Sequence, residues 1–120
     1  MSLGGGTGGI SITAGGLVDV VPATDSQAGA ACTVSANVGV ATFTGLTTAA
    51  AASQELTITN TLCTTGSAIL CSLSTLGAND GQCTVTRVQP GAGSFVVTYQ
   101  NLGAAAVNGN LILTFWILAV

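Results

Sequence analysis

Apolar and polar residues alternate with a period of two through most of the second half of the chain. Leu56-Thr57-Ile58-Thr59-Asn60 begins the pattern. Over residues 68–74, Ile69, Cys71 and Leu73 share one parity, with Ser72 and Ser74 on the other. Cys83 and Val85 share a parity in residues 82–89, as do Phe95, Val97 and Tyr99 in residues 94–101. A period of two sends successive side chains to opposite faces, so each run predicts a half-buried strand. The last run, residues 110–118, differs. Leu111, Leu113, Phe115 and Ile117 occupy one parity, while Ile112, Trp116 and Leu118 occupy the other. A strand apolar on both faces needs a cover on both. The domain core is one cover, and a neighbouring subunit is the expected second. Ile112, Trp116 and Leu118 are therefore candidate interface residues.

Turn signals punctuate these runs: Asn79-Asp80-Gly81, Pro90-Gly91-Ala92-Gly93 and the hairpin-type dipeptide Asn108-Gly109. The first half is less regular. Residues 10–13 and 17–21 are short strand-like runs separated by Ala14-Gly15-Gly16, and Pro22 ends the second. Residues 23–31 are small and polar and read as a loop. Residues 32–38 are strand-like. A turn around Asn37-Val38-Gly39 would lead them into a strand over residues 40–44. Residues 47–53 contain four consecutive alanines, Ala49 to Ala52. Alanine favours helix, but the segment is too short to hold one alone, so a loop or a single helical turn is expected. Turn signals recurring roughly every 10–14 residues, without periodic helix formers, predict an all-β fold. The expected architecture is a single β-sandwich or jelly roll of about eight strands over residues 10–120. A flexible Gly-rich N-terminal arm over residues 1–9 precedes it.

Charge changes the picture more than hydropathy does. Of 120 residues only Asp19, Asp25, Glu55, Asp80 and Arg87 are charged, with no Lys and no His. A monomer of this length exposes roughly 5,800 Å², so charges are sparse for a surface that stays in water alone. Much of it is expected to be covered by further copies, because obligate interfaces resemble a domain core cut in half. One Arg cannot neutralise a run of phosphates, so no nucleic-acid partner is expected. The same shortage argues against attachment to anionic lipid, and no apolar run approaches the ~18 residues of a membrane helix. Met-Ser-Leu-Gly-Gly-Gly has neither the basic nor the apolar region of a secretory signal, so none is expected.

No chemistry-bearing constellation is evident. General base work lacks a His, and the carboxylates form no recognisable pair. Gly4-Gly5-Gly6-Thr7-Gly8-Gly9 lacks the Lys and preceding strand of a phosphate loop. No catalytic residue, cofactor site or metal site is assigned, and the chain is read as non-enzymatic. Cys32, Cys63, Cys71 and Cys83 could form two disulfides in any of three pairings. Buried free thiols are the expectation, and zinc is disfavoured without a Cys-x-x-Cys pair or a His. Arg87, the lone base, is a fourth candidate interface residue. It is expected to pair with Glu55, Asp80 or a neighbouring subunit.

From residue 39 onward the chain resembles a recurrent viral module. The residues that carry the likeness are Gly39-Val40-Ala41-Thr42-Phe43-Thr44-Gly45, residues 56–60, Ser67-Ala68-Ile69-Leu70 and Thr84-Val85-Thr86-Arg87-Val88. Gly91-Ala92-Gly93-Ser94-Phe95-Val96-Val97, Asn101, Gly109 and Leu113-Thr114-Phe115-Trp116-Ile117 complete them. This order is similar to small jelly-roll modules of capsid decoration proteins, minor capsid proteins and tail-fibre C-termini of large DNA viruses and phages. The resemblance implies a trimeric β-sandwich located in the virion, on the capsid surface or a fibre, without catalysis. Its partners would be further copies of itself and other capsid or fibre proteins. Residues 1–38 do not follow the pattern. A lectin-type carbohydrate-binding attachment module and a pilus- or fibre-like cellular subunit are the alternatives. The first lacks an evident aromatic platform beyond Trp116 and Tyr99, and the second lacks a secretion signal.

Overall fold

The computed structural model describes residues 9–12, 16, 18–76 and 83–118. Among them there is no helix, and therefore none long and apolar enough to cross a membrane. Eight strands form two packed four-stranded sheets, as the alternating pattern predicts. The first sheet has the order β3 (Ala23–Ala28), β5 (Val38–Thr44), β10 (Asn110–Leu118), β7 (Ala68–Leu76). The second has the order β4 (Ala31–Thr33), β6 (Ser53–Thr59), β9 (Ser94–Asn101), β8 (Cys83–Gly91). Two further strands, β1 (Gly9–Ile12) and β2 (Val18–Val21), pair antiparallel with each other in a separate sheet. Within the sandwich β3 runs parallel to β5 and β4 parallel to β6, while the other ladders are antiparallel.

The parities read from the sequence become the two faces of each sheet. Leu111, Leu113, Phe115 and Ile117 of β10 point inward and are buried, as are Phe95, Val97 and Tyr99 of β9 and Leu56 and Ile58 of β6. Phe95 and Phe115 meet edge to face at the centre, with ring centroids 4.9 Å apart and an interplanar angle of 71°. That geometry sets the positive ring edge against the negative ring face. Gly39 on β5 makes room for it, since a Cβ there would lie 2.4 Å from the Phe115 ring.

An asparagine closes each end of the sandwich. At one end, fully buried Asn101 donates through Nδ2 to the carbonyls of Thr48, Ala49 and Ala105, and its Oδ1 accepts from the Gly103 N–H. Beside it the hydroxyls of Thr48 and Tyr99 lie 2.7 Å apart. At the other end, fully buried Asn60 donates to the Ala36 carbonyl at 2.7 Å and accepts from the Leu62 N–H at 3.0 Å. Buried loop backbone must find partners away from water, and these two amides supply them.

Several local expectations are corrected. Residues 23–31, read as a loop, contain β3. Its Ala-Thr-Asp-Ser-Gln-Ala sequence is polar because it is an edge strand, and the ladder to β5 makes it a strand. The strand-like reading of residues 32–38 shortens to β4. Val34 N–H still donates to the Thr59 carbonyl, and the chain bends at Ala36 and Asn37, earlier than expected, because Val38 and Gly39 already belong to β5. Of the two forms expected for the four alanines, a loop or one helical turn, the structure has the loop. Ala52 N–H donates to the Ala49 carbonyl across a tight turn with Ala51 at φ 63°. Asn108-Gly109 closes no hairpin, because β9 and β10 lie in different sheets and the connection crosses between them. Pro90-Gly91-Ala92-Gly93 does turn a hairpin, with Gly91 opposite Ser94 and Gly93 at φ 79°. Gly9, assigned to the arm, starts β1. The remainder of the arm and the Asn79-Asp80-Gly81 turn lie outside the described residues.

Candidate interaction surface

The two sheets present outer faces of different chemistry. On the first sheet, the outward parity of β10 carries Ile112, Thr114, Trp116 and Leu118. Cross-strand register aligns Val38, Trp116 and Leu70 in one row over three strands. The next outward row is Val40, Thr114 and Ser72, and the one after it is Thr42, Ile112 and Ser74. Leu70 is 60% exposed, Leu118 46% and Trp116 41%. Between them lies a shallow depression of about 250 Å³, lined by Val38, Leu70, Cys71, Ser72, Thr114, Phe115 and Trp116. Three of the four sequence-predicted residues, Ile112, Trp116 and Leu118, thus share one face. Leu70 and Val38 complete it. Neither was singled out from sequence, because only cross-strand register sets them beside Trp116.

Arg87 stands apart, exposed on the outer face of the second sheet. A bulge between Val85 and Arg87 puts it there. Strict alternation from Cys83 and Val85 would point Arg87 into the core. The extra residue, Thr86, returns Arg87 outward opposite Thr98 and lets Val88 face inward opposite Val97. Glu55 also pairs with Thr98, from the other side. The two residues therefore flank Thr98 on one face, their backbones about 9.5 Å apart across two strand spacings. Their neighbours on that face are largely hydroxyl and amide side chains, among them Thr57, Thr59, Thr84, Gln89 and Gln100.

A larger cleft of about 410 Å³ opens where β3 and β4 diverge, lined by Asp25, Gln27, Ala31, Cys32, Thr33 and Thr59. Asp25 accepts from the Thr33 N–H at 2.9 Å and from Gln27 Nε2 at 3.1 Å. The Thr33 bond chiefly, aided by Gln27, holds this carboxyl below its ordinary range. Burial, aided by the nearby Asp25 charge, pushes the Cys32 thiol up, and its Sγ donates to the Thr42 carbonyl at 3.5 Å. The cleft thus pairs a carboxylate that stays ionised with a thiol that stays protonated, a poor combination for proton transfer or nucleophilic attack. All four cysteines are free thiols. Cys32 and Cys63 are buried, while Cys71 and Cys83 are half-buried and pushed up by desolvation. No cluster of three or more metal-ligating side chains occurs among the described residues.

No family model, curated protein or solved structure matches this chain.

Proposed function

We propose that the chain is a non-enzymatic structural subunit of a virion, one that decorates or cements a capsid or forms the head of a fibre. It acts as a homo-oligomer in contact with other capsid or fibre proteins. The observation that carries this reading is the contrast between the outer faces. One is a row of Val38, Trp116 and Leu70 flanked by Ile112 and Leu118, and the other is hydroxyl-rich. The molecular surface is 6339 Å² and the whole chain has five charged side chains. A subunit that turns its apolar face to neighbours and its hydroxyl-rich face to solvent resolves that imbalance. Three copies is the count implied by the resemblance to small viral modules. Arg87, across the sandwich from Trp116, is a contact for a different neighbour in this arrangement.

Cryo-EM of intact particles tests the proposal directly. Density for this sandwich at a capsid surface or fibre tip, with the Trp116 face covered, is the expected result. Its absence from particles overturns the virion assignment. The lectin-type alternative would use the exposed indole beside the depression. Apart from the Ser72 and Thr114 hydroxyls, however, the side chains that face that depression, Val38, Leu70 and Trp116, are apolar, which leaves few groups to orient a sugar. Saturable binding on a glycan array, lost in Trp116→Ala, would favour it instead.

A further inference from the structure

We infer that β7 is a docking edge for the β7 of a second copy, pairing antiparallel to extend the first sheet from four strands to eight. The inference rests on the self-assembly reading above and names a contact within it. Among the described residues β7 has β10 on one side and no strand on the other. It is nine residues long, Ala68–Leu76, and contains no charge, no proline and no bulge. The other three edges of the sandwich are protected. β8 carries Arg87, Pro90 and a bulge; β3 carries Asp25; β4 is three residues long. An edge without such devices is a template for another strand, because its free N–H and C=O groups need a β-partner. Another copy of β7 is the occupant that charge favours. A two-fold contact sets each residue against residues of the same strand, so any charge on the edge would meet like charge. β7 has none.

Area sets the strength. Nine residues span ~31 Å, and a strip that long and one ~10 Å sandwich layer deep covers ~300 Å² per partner. A standard stable interface needs about 800 Å² per partner. The edge alone therefore associates weakly, on the order of tens of micromolar or weaker. A two-fold contact closes on two copies. In a trimer held by its apolar faces, it joins one trimer to the next.

The test compares Trp116→Asp, which lacks the face contact, with the same chain also carrying Ser72→Lys and Ser74→Lys. Both serines are exposed on the outer face of β7, in rows beside Trp116, so this background separates the edge from the face and keeps the core intact. Hydrogen exchange is followed over a dilution series at the alternate β7 amides that do not bond β10, alongside sedimentation. The expected result is at least tenfold slower exchange of those amides at high concentration in Trp116→Asp. The lysine-bearing chain loses that gain, while exchange in β9 stays unchanged. Concentration-independent exchange at those amides, or an undiminished gain in the lysine-bearing chain, overturns the inference. The face reading fails separately. If Trp116→Asp assembles like the wild type while β7 protection still follows concentration, the edge stands and the face does not.

Discussion

Asn101 does at one position what no strand pairing can. Its amide partners three carbonyls and one N–H from the Thr48–Ala49 turn and the chain beyond β9. Replacing it with Ala strips the Ala105 carbonyl and the Gly103 N–H of their partner, while the Thr48 and Ala49 carbonyls keep only the N–H groups of Val107 and Ala52. A stability loss of about 3 kcal/mol is expected, read by denaturant unfolding at unchanged m-value. Asp25 acts at the surface and through pH. Its carboxyl titrates below the ordinary value of 3.8, chiefly because it accepts from the Thr33 N–H. A depressed carboxyl contributes stability above its unfolded value and loses it as pH falls through its lower folded value. Stability of the wild type should therefore fall below about pH 4 more steeply than that of Asp25→Asn. Equal slopes would show that the β3–β4 clasp contributes nothing. Little of this was legible in the sequence. Asn60 and Asn101 end alternating runs, but their hydrogen-bond partners belong to loops that only the fold brings near. Asp25 gave no sign of its partner Thr33, eight residues away.

At the scale of elements, legibility follows burial. The two parities of β10 could be read directly, because one faces the core and the other is apolar for its own reason. β3 was missed because an edge strand with polar residues on both parities has the composition of a loop. The parallel β3–β5 and β4–β6 ladders depend on pairing between distant segments, to which a period of two is blind. β8 shows a finer limit. Its alternation fails at Thr86, and from sequence alone Arg87 falls on the core face with Cys83 and Val85. The bulge reconciles the pattern by placing two residues opposite Thr98. Removing Thr86 should then leave Val85 inward, Arg87 outward and Val88 inward, with an unbroken ladder to β9. The deletion is expected to cost about 1 kcal/mol or less, since no core side chain changes face. A collapse of the melting transition would show instead that the bulge holds the sheet's shape.

At the scale of the molecule, the decisive pair is Phe115 and Trp116. They are adjacent in β10 and point to opposite sides, Phe115 1% exposed in the core and Trp116 41% exposed on the outer face. An aspartate at Phe115 would bury a charge among Phe95 and its neighbours and unfold the subunit. The same change at Trp116 meets solvent in an isolated subunit, so folding should survive it. What it removes is the centre of the Val38–Trp116–Leu70 row. Fully burying a large apolar side chain stabilises by roughly 1.5–3 kcal/mol. Trp116, Leu70 and Leu118 begin about half covered, so each gains roughly half of that in an interface. A charge at the centre cancels the indole's share and adds a desolvation cost that recurs in every copy. Trp116→Asp should therefore give a subunit with an unchanged β-type circular dichroism spectrum that sediments as a monomer. The wild type should sediment as an oligomer at the same micromolar concentration. A wild-type chain that is itself a stable monomer there would defeat assembly through this face.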